Sequence, residues 1–389
     1  MSRIFLFGAT GYQGRLAAEA MVARGLAPVL VGRDEARLRA LATSHGGLDH
    51  AVADLRDAGS LTRLLGRGDV LVSTVGPFFK HGLLQVEAAL AAGAHYLDSS
   101  GESASYRLLH ERVRARADAS SSAVLTACAY DFFPGNAVAD LVLRRAGDRA
   151  VRVDIGYFGD VARGYRVSAG SQASGLVTML EPGLFFRGGR LEVAPIFTEL
   201  GRVALLGAAR VGVSMAGTEP LFLPALHPAL REIRGIWGWM GPRSGALQKL
   251  ACVQAGIARI PLAKRAVTRL LDAVATSDGS GPDASLRARS SSYVTATAFD
   301  AHDAPLATAT LGDLDGFSFT ANILAWSAEQ LARGALRRAG FTGPVQAFGH
   351  AALLQGHEES GFALLEDASH GGAASPAPRS EPRFAEASR

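Results

Sequence analysis

The segment from Ile4 to Gly14 limits the fold more tightly than any other part of the chain. Four apolar residues, Ile4-Phe-Leu-Phe7, run directly into Gly8-Ala-Thr-Gly11-Tyr-Gln-Gly14, and a helical pattern opens behind them. A buried strand that turns this sharply into a helix needs glycine where the backbone must approach other backbone or an anion closely. The helix that follows directs its free N–H groups and positive dipole end at whatever lies over the loop. The spacing is G-x-x-G-x-x-G, so the middle glycine comes one residue later than in G-x-G-x-x-G. Strand, loop and helix in this order predict a dinucleotide cradle made by Gly8, Thr10, Gly11, Tyr12, Gln13 and Gly14.

The same alternation continues through the first 148 residues. Ile4–Phe7, Pro28–Val31, Ala51–Ala53, Val70–Val75, His95–Leu97 and Ala123–Ala127 read as buried strands. Arg15–Ala23, Glu35–Ala42, Leu83–Ala92 and Ala104–Ala117 read as the helices between them. Buried strands alternating with helices predict an α/β, doubly wound parallel sheet of Rossmann-like type. Asp34 is placed to cap the second helix, and Gly25 and Gly93 to end the first and fourth.

Residues 149–316 change rhythm. Val151–Phe158, Arg190–Pro195, Leu286–Thr297 and Ala307–Leu311 read as strands and Ser168–Leu180 as a helix, which gives an α+β substrate domain. Ser277–Asp283 has the composition of a turn or loop. A long helical pattern over Phe317–Leu336 predicts a C-terminal return, residues 317–366, onto the first domain. Residues 367–389, rich in Ser, Pro, Gly and charge, predict a disordered tail.

Composition removes several classes of function. At 389 residues, 48% hydrophobic and 20% charged, the chain is a globular protein of two domains' length. Cys128 and Cys252 are too few for a disulfide framework or a cysteine zinc ribbon, and no histidine spacing suggests a metal. The net charge of +4 is spread along the sequence, so no nucleic-acid partner is expected. No run of 18 apolar residues occurs: the most apolar region, Val203–Leu226, is broken by Arg210, Glu219 and two prolines. The start has no long apolar region followed by a cleavage site, so a cytoplasmic location is expected. Peripheral membrane contact, suggested by apolar sequence near Trp237 and Trp239, and a homodimer stay open.

The second strand ends in Arg33, nineteen positions after Gly14, where an NAD site usually places an acid for the ribose 2′-hydroxyl. A guanidinium suits a 2′-phosphate instead, so NADP(H) is the expected cofactor, with Arg37 as a second contact. Asp54, after the third strand, fits either the adenine amino group or a helix N-cap. At the fourth strand end, Ser73-Thr-Val-Gly76-Pro77-Phe78-Phe79 predicts a turn that approaches the cofactor, with Phe78 walling the nicotinamide side. His81 beside it has the pKa range of a proton donor. No tyrosine stands four residues before Lys80, Lys249 or Lys264, which excludes the short-chain reductase dyad, and no G-x-S-x-G elbow is present.

Two further strand ends, His95-Tyr96-Leu-Asp98-Ser-Ser-Gly101-Glu102 and Ala127-Cys128-Ala-Tyr-Asp131-Phe-Phe-Pro134-Gly135, complete a constellation. Together with the glycine loop it resembles the saccharopine dehydrogenase-like reductases, most closely the trans-acting enoyl reductases of lipid and polyketide assembly. The fifth strand matches that family's Tyr-x-Asp-x-x-Gly-Glu; the sixth departs from Cys-Gly-x-Asp-x-x-Pro, with Ala129 in place of glycine. Ser168–Ser171 and Phe341–Gly349 resemble later family segments. The resemblance is strong over the first 135 residues and thin from 185 to 280. It implies a small-molecule or acyl-type substrate and NADP-linked reduction of an activated C=C or of an imine. It places Tyr96, Asp98, Cys128 and Asp131 at the nicotinamide end as catalytic candidates, with Glu102 beside them. The leading expectation is enoyl reduction, with a greasy substrate suggested by the apolar segment Met179–Leu226. Imine reduction with a carboxylate held by Arg163, Arg166, Arg187 or Arg190 is the second, and a non-catalytic NADP-binding regulator or scaffold the third.

Overall fold

The computed structural model describes residues 2–57, 59–165, 167–258 and 280–370. Runs at the start of the chain form the parallel strands β1 (Ile4–Phe7), β2 (Val29–Gly32), β3 (His50–Val52), β4 (Val70–Ser73), β5 (His95–Asp98) and β6 (Ala123–Leu125); all are largely buried except β3, expected to be buried but left at the sheet edge with Val52 exposed. Between them lie α1 (Tyr12–Ala23), α2 (Glu35–Ser44), α3 (Ser60–Leu64), α4 (Phe78–Ala92), α5 (Ser103–Arg112) and α6 (Arg114–Asp118). The strand order is β15-β6-β5-β4-β1-β2-β3, where β15 is Gly340–Phe341 from the C-terminal return. The order reverses between β1 and β4, and the loops after these strands' carboxyl ends flank that crevice. The expected α/β doubly wound sheet is therefore the observed one.

Local chemistry sets several boundaries. Asp34 accepts from the Arg37 N–H and starts α2. Gly93 ends α4 at φ +70°, a conformation glycine adopts without strain. The helix expected from Leu83 begins earlier, at Phe78, because Glu102 receives its first N–H groups.

α7 (Phe133–Ala146) leads to a second sheet, ordered β10-β11-β12-β7-β13-β14-β16, with the hairpin of β8 (Gly183–Arg187) and β9 (Arg190–Ala194) on its flank. Its strands are β7 (Arg152–Asp160), β10 (Leu200–Leu205), β11 (Ala208–Met215), β12 (Glu232–Trp237), β13 (Ser291–Phe299), β14 (Pro305–Leu314) and β16 (Ala363–Ser369). α8 (Ala169–Leu180), α9 (Glu219–Phe222) and α10 (Ser244–Ala258) complete this part. The strand expected from Leu286 starts at Ser291, because Asp283 accepts from the Leu286 N–H and winds Ala284–Ala288 into a helical turn.

The return is carried by the helix Gly316–Ala332, capped by Asp315, which packs along α1. Arg24 at the end of α1 joins Glu329 of that helix at 2.8 Å. The chain then crosses back: β16 pairs with β14, so Asp367–Ser369, expected at the start of the tail, lie in a strand. Residues 371–389 of that expected tail lie outside the described residues. One buried carboxylate ties three parts together. Asp140 on α7 accepts from Arg144 at 2.7 Å, His227 at 2.8 Å and His350 at 2.6 Å.

Candidate functional site

The glycine loop is shaped by contacts that leave no space for side chains. Gly8 sits at φ +86°, and a Cβ there would lie 2.7 Å from both Thr74 Oγ1 and Val75 Cγ2. At Gly14 a Cβ would fall 2.1 Å from the Gly8 carbonyl oxygen, so α1 packs on the loop only with glycine there. Gly11 differs: beyond the Gly8 oxygen at 3.2 Å, a Cβ would meet nothing within 4 Å among the described residues. That open side is where a phosphate can approach. The N–H groups of Gly8 and Ala9 bond Val31 O, and that of Gly11 bonds Gly8 O, so the turn is held from within. Gly11 is the N-cap and offers no side-chain acceptor, leaving the first-turn N–H groups of α1 for a ligand.

The side chains of Tyr12 and Gln13 turn away from that cradle. Tyr12 donates to Pro282 O, receives Arg287 at 3.0 Å and packs edge-on against Phe317; Gln13 donates to Phe317 O at 3.2 Å. Both can serve the cofactor through backbone N–H while their side chains fasten the loop to Phe317 of the C-terminal return and, through Tyr12, to the Pro282–Arg287 segment. Thr10 uses its carbonyl to accept from Arg15.

Arg33 follows β2, exposed, with no hydrogen bond or salt bridge to a described residue. Its charge is felt by both Asp54 and His81. Asp54 is not a helix N-cap: its carboxylate accepts from the backbone and guanidinium of Arg56, which hold its pKa down at about 2. Arg37 rests against Asp34 at 3.7 Å. His81 is half-buried, and burial, then Lys80 and Arg33, push its pKa below the usual histidine value.

Gly76, Pro77 and Phe78 stand at the β4 end, with Phe78 buried at the start of α4. Glu102, fully buried, accepts from the Phe78 and Phe79 N–H groups at 2.8 Å each and from the Ser174 hydroxyl of α8. Its carboxylate thus complements the dipole of α4, a neighbouring helix, rather than capping its own helix, α5. Burial raises its pKa against those three hydrogen bonds. Ser174 Oγ also lies 3.5 Å from where a Gly76 Cβ would be, so α8 closes over this turn.

The four catalytic candidates separate into two kinds. Asp98 is buried and accepts from Ser100 N at 2.9 Å, Ala127 N at 2.8 Å and the Thr126 hydroxyl at 3.0 Å. Burial lifts its pKa to about 6 against those donors, and the carboxyl fixes the turn in which Ala127 adopts φ +59°. Tyr96 is enclosed beside it, its hydroxyl without a hydrogen-bond partner of normal geometry. Cys128 is wholly buried, and burial pushes its thiol pKa up, which makes it a small hydrophobe rather than a nucleophile.

Asp131 differs from these three. It is half-buried, forms no hydrogen bond to any described residue, and burial alone raises its pKa to about 7. Gly101 makes room for it: a Cβ there would lie 2.9 Å from its Oδ2. A second raised carboxyl is Glu219 of α9, which did not stand out as functional in the sequence. Glu219 is buried, receives the Tyr157 hydroxyl, and has its pKa lifted to about 7 chiefly by burial. The only signal for it is an acid inside an otherwise apolar stretch.

Of the arginines suited to a substrate carboxylate, Arg187 is committed to Glu192 at 3.0 Å and Glu199 at 2.9 Å. Arg163 and Arg190 are exposed, and Arg166 lies outside the described residues. Trp237 and Trp239 stack on each other against the core, so neither forms a protruding membrane anchor. No group of metal-ligating side chains occurs among the described residues, and none of their helices is long and apolar enough to cross a membrane.

This arrangement meets its counterpart in known proteins. Residues 4–128 match the saccharopine dehydrogenase NADP binding domain. A trans-acting enoyl reductase of Mycobacterium ulcerans is 31% identical over 151 residues, 37% of this chain and 36% of that protein. One from Mycobacterium leprae is 32% identical over 139 residues, 34% of this chain and 33% of the relative. The aligned part spans about a third of the length of these relatives. Apo saccharopine dehydrogenase (L-Glu forming) from Saccharomyces cerevisiae superposes with a TM-score of 0.59, covering 95% of this chain and all of that one at 14% identity, which is a likeness of fold. The open face at Gly11, the uncapped start of α1 and the unpaired Arg33 all fit a phosphorylated dinucleotide. Residues 4–128 therefore match a saccharopine dehydrogenase NADP binding domain, which points to NADP(H) as the cofactor, and the chain as a whole has a fold like that of saccharopine dehydrogenase.

Proposed function

We propose that the chain is an NADPH-dependent reductase of an activated C=C bond in an acyl or polyketide-type substrate. Two relatives described as trans-acting enoyl reductases support this reading. The observation that carries it is Asp131, a carboxyl with a pKa near 7 and no partner among the described residues, in the loop after β6 and beside Gly101 of the loop after β5. NADPH, when bound, supplies the hydride that adds to the β carbon. The π pair then moves toward the thioester carbonyl as an enolate, and a proton is needed at the α carbon. The Asp131 O–H bond breaks to give it, leaving a carboxylate that water reprotonates. An iminium ion needs no such acid, because hydride addition alone gives the neutral amine.

The remaining residues bind and orient. The first-turn N–H groups of α1 hold the pyrophosphate, and Gly8, Gly11 and Gly14 keep side chains away from it. Arg33 meets the 2′-phosphate, and Asp54 lies on the same side. Gly76, Pro77 and Phe78 border the nicotinamide end, where Glu102 fixes the start of α4. Asp98, with Tyr96 and Cys128 packed around it, holds the loop that carries Asp131.

The test is NADPH oxidation with a chain-length series of enoyl thioesters, run beside a cyclic imine. Turnover of thioesters, reduced at least about 100-fold in Asp131→Asn, is the expected result, in the range typical of general acid catalysis. Turnover of the imine alone, unaffected by that substitution, would replace this reading with C=N reduction. Tight NADPH binding with no turnover of either would support the non-catalytic alternative.

A further inference from the structure

We infer that Tyr12 is a positioning residue whose side chain ties nucleotide binding at the glycine loop to the seating of α8 in the second domain. The inference rests on the nucleotide cradle and is independent of which bond is reduced.

A loop built on Gly8, Gly11 and Gly14 has much backbone freedom to lose when it closes on an anion. Tyr12 and Gln13 open α1, so their N–H groups belong to the first turn, which has no side-chain cap. Anchoring their side chains fixes the direction of those N–H groups before a ligand arrives. Gln13 is held by the Phe317 carbonyl at 3.2 Å. Tyr12 is held by more partners, and chiefly from residues 280–287. Its hydroxyl donates to Pro282 O and accepts from Arg287 Nη1 at 3.0 Å, and the same nitrogen donates to Pro282 O at 2.9 Å. The three groups close a triangle. Gly281 lets the chain lie against the ring, because a Cβ there would fall 2.6 Å from Tyr12 Cδ2. Phe317 meets the ring edge-on, with centres 5.1 Å apart. Asp283 accepts from the Leu286 N–H and so winds the turn that carries Arg287.

The same segment reaches α8. Ser280 O accepts from the N–H of Ala169, the first residue of α8, at 3.3 Å. Further along the helix, Ser174 donates to Glu102, the carboxylate that receives the Phe78 and Phe79 N–H groups at the start of α4. Hydrogen bonds therefore link α8 to the glycine loop through Tyr12 and to the Gly76–Phe78 turn through Glu102. Ordering the glycine loop on a nucleotide holds Tyr12, Tyr12 holds residues 280–287, and these hold the start of α8. By linkage, seating α8 favours the nucleotide to the same degree.

Hydrogen–deuterium exchange read by mass spectrometry, on the full-length chain with and without NADPH, tests this without turnover. In the wild type NADPH should slow exchange in peptides covering residues 168–182 and 280–290 as well as in the glycine loop. Tyr12→Phe keeps the ring against Gly281 and Phe317 and removes the hydroxyl. It should abolish protection at 168–182 and 280–290, keep it in the glycine loop, and weaken NADPH about 5-fold. Arg287→Ala should do the same, and the double variant no more than either, because both remove one contact. Arg287→Lys keeps a donor beside the hydroxyl and should recover most of the affinity. Wild-type protection confined to the glycine loop overturns the inference. So does an NADPH Kd within about 2-fold of wild type in both Tyr12→Phe and Arg287→Ala. No acceptor has to turn over, so a failure of the reductase reading is seen separately.

Discussion

Replacing Arg33 with alanine isolates the cofactor phosphate from everything else the residue does. Arg33 is exposed and forms no hydrogen bond or salt bridge with a described residue, so its loss removes no observed intramolecular bond. Stability should change by no more than about 0.5 kcal/mol, as for ordinary surface substitutions. The consequence falls on the ligand. A guanidinium facing a phosphate makes charge-assisted hydrogen bonds worth about 1.5–3 kcal/mol. That range corresponds to roughly 10- to 150-fold in Kd for NADPH. NADH lacks the 2′-phosphate and should lose less than about 2-fold, within the ordinary scatter of surface changes. Solvent exposure places the effect toward the lower end and makes it sensitive to salt. Nicotinamide fluorescence titrations of wild type and Arg33→Ala with both nucleotides, at low and high ionic strength, measure all four constants. Equal weakening of NADPH and NADH would refute the assignment of Arg33 to the 2′-phosphate.

Other parts of the structure give sharp expectations. Gly14→Ala forces a methyl against the Gly8 carbonyl at 2.1 Å and should cost about 3 kcal/mol by thermal melting while abolishing NADPH titration. Asp140→Asn breaks contacts to Arg144, His227 and His350 at once and should destabilise by about 3 kcal/mol in urea. These partners lower the Asp140 pKa, so the wild-type advantage should be full above the unfolded carboxyl value near 4 and vanish as pH falls through the lower folded value. Glu102→Gln leaves one of the Phe78 and Phe79 N–H groups facing an amide or unpaired, and should weaken NADPH several-fold while lowering the melting temperature. An unchanged Kd there would mean that the start of α4 does not border the cofactor.

The first sheet was legible because its central strands are buried on both faces. Such strands read as continuous apolar runs, and Ile4–Phe7 appears in the structure with the limits its sequence suggests. The second sheet was not. The stretch Val203–Leu226 reads only as apolar, yet it contains the second half of β10, all of β11 and the turn of α9. β12 carries Glu232 and Arg234, which pair with each other across one face and hide its strand character. The candidate site residues divide in the same way. Glycines whose constraint is local announced themselves by spacing. The settings of Glu102 and Glu219 come from partners distant in sequence, Phe78 and Tyr157, and no local pattern encodes them. Asp98 and Asp131 are matched in motif alike, but only packing distinguishes the carboxyl that holds a turn from the one left without a partner.

The most direct measurement follows a deuterium label. NADPH deuterated at C4 would be mixed with an enoyl thioester and enzyme, and the product read by mass spectrometry and NMR. Reduction of the C=C bond predicts one deuterium at the β carbon and a solvent proton at the α carbon, with the α-carbon step slowed in Asp131→Asn. Label absent from the thioester and present instead at the former imine carbon of a cyclic imine would contradict the account.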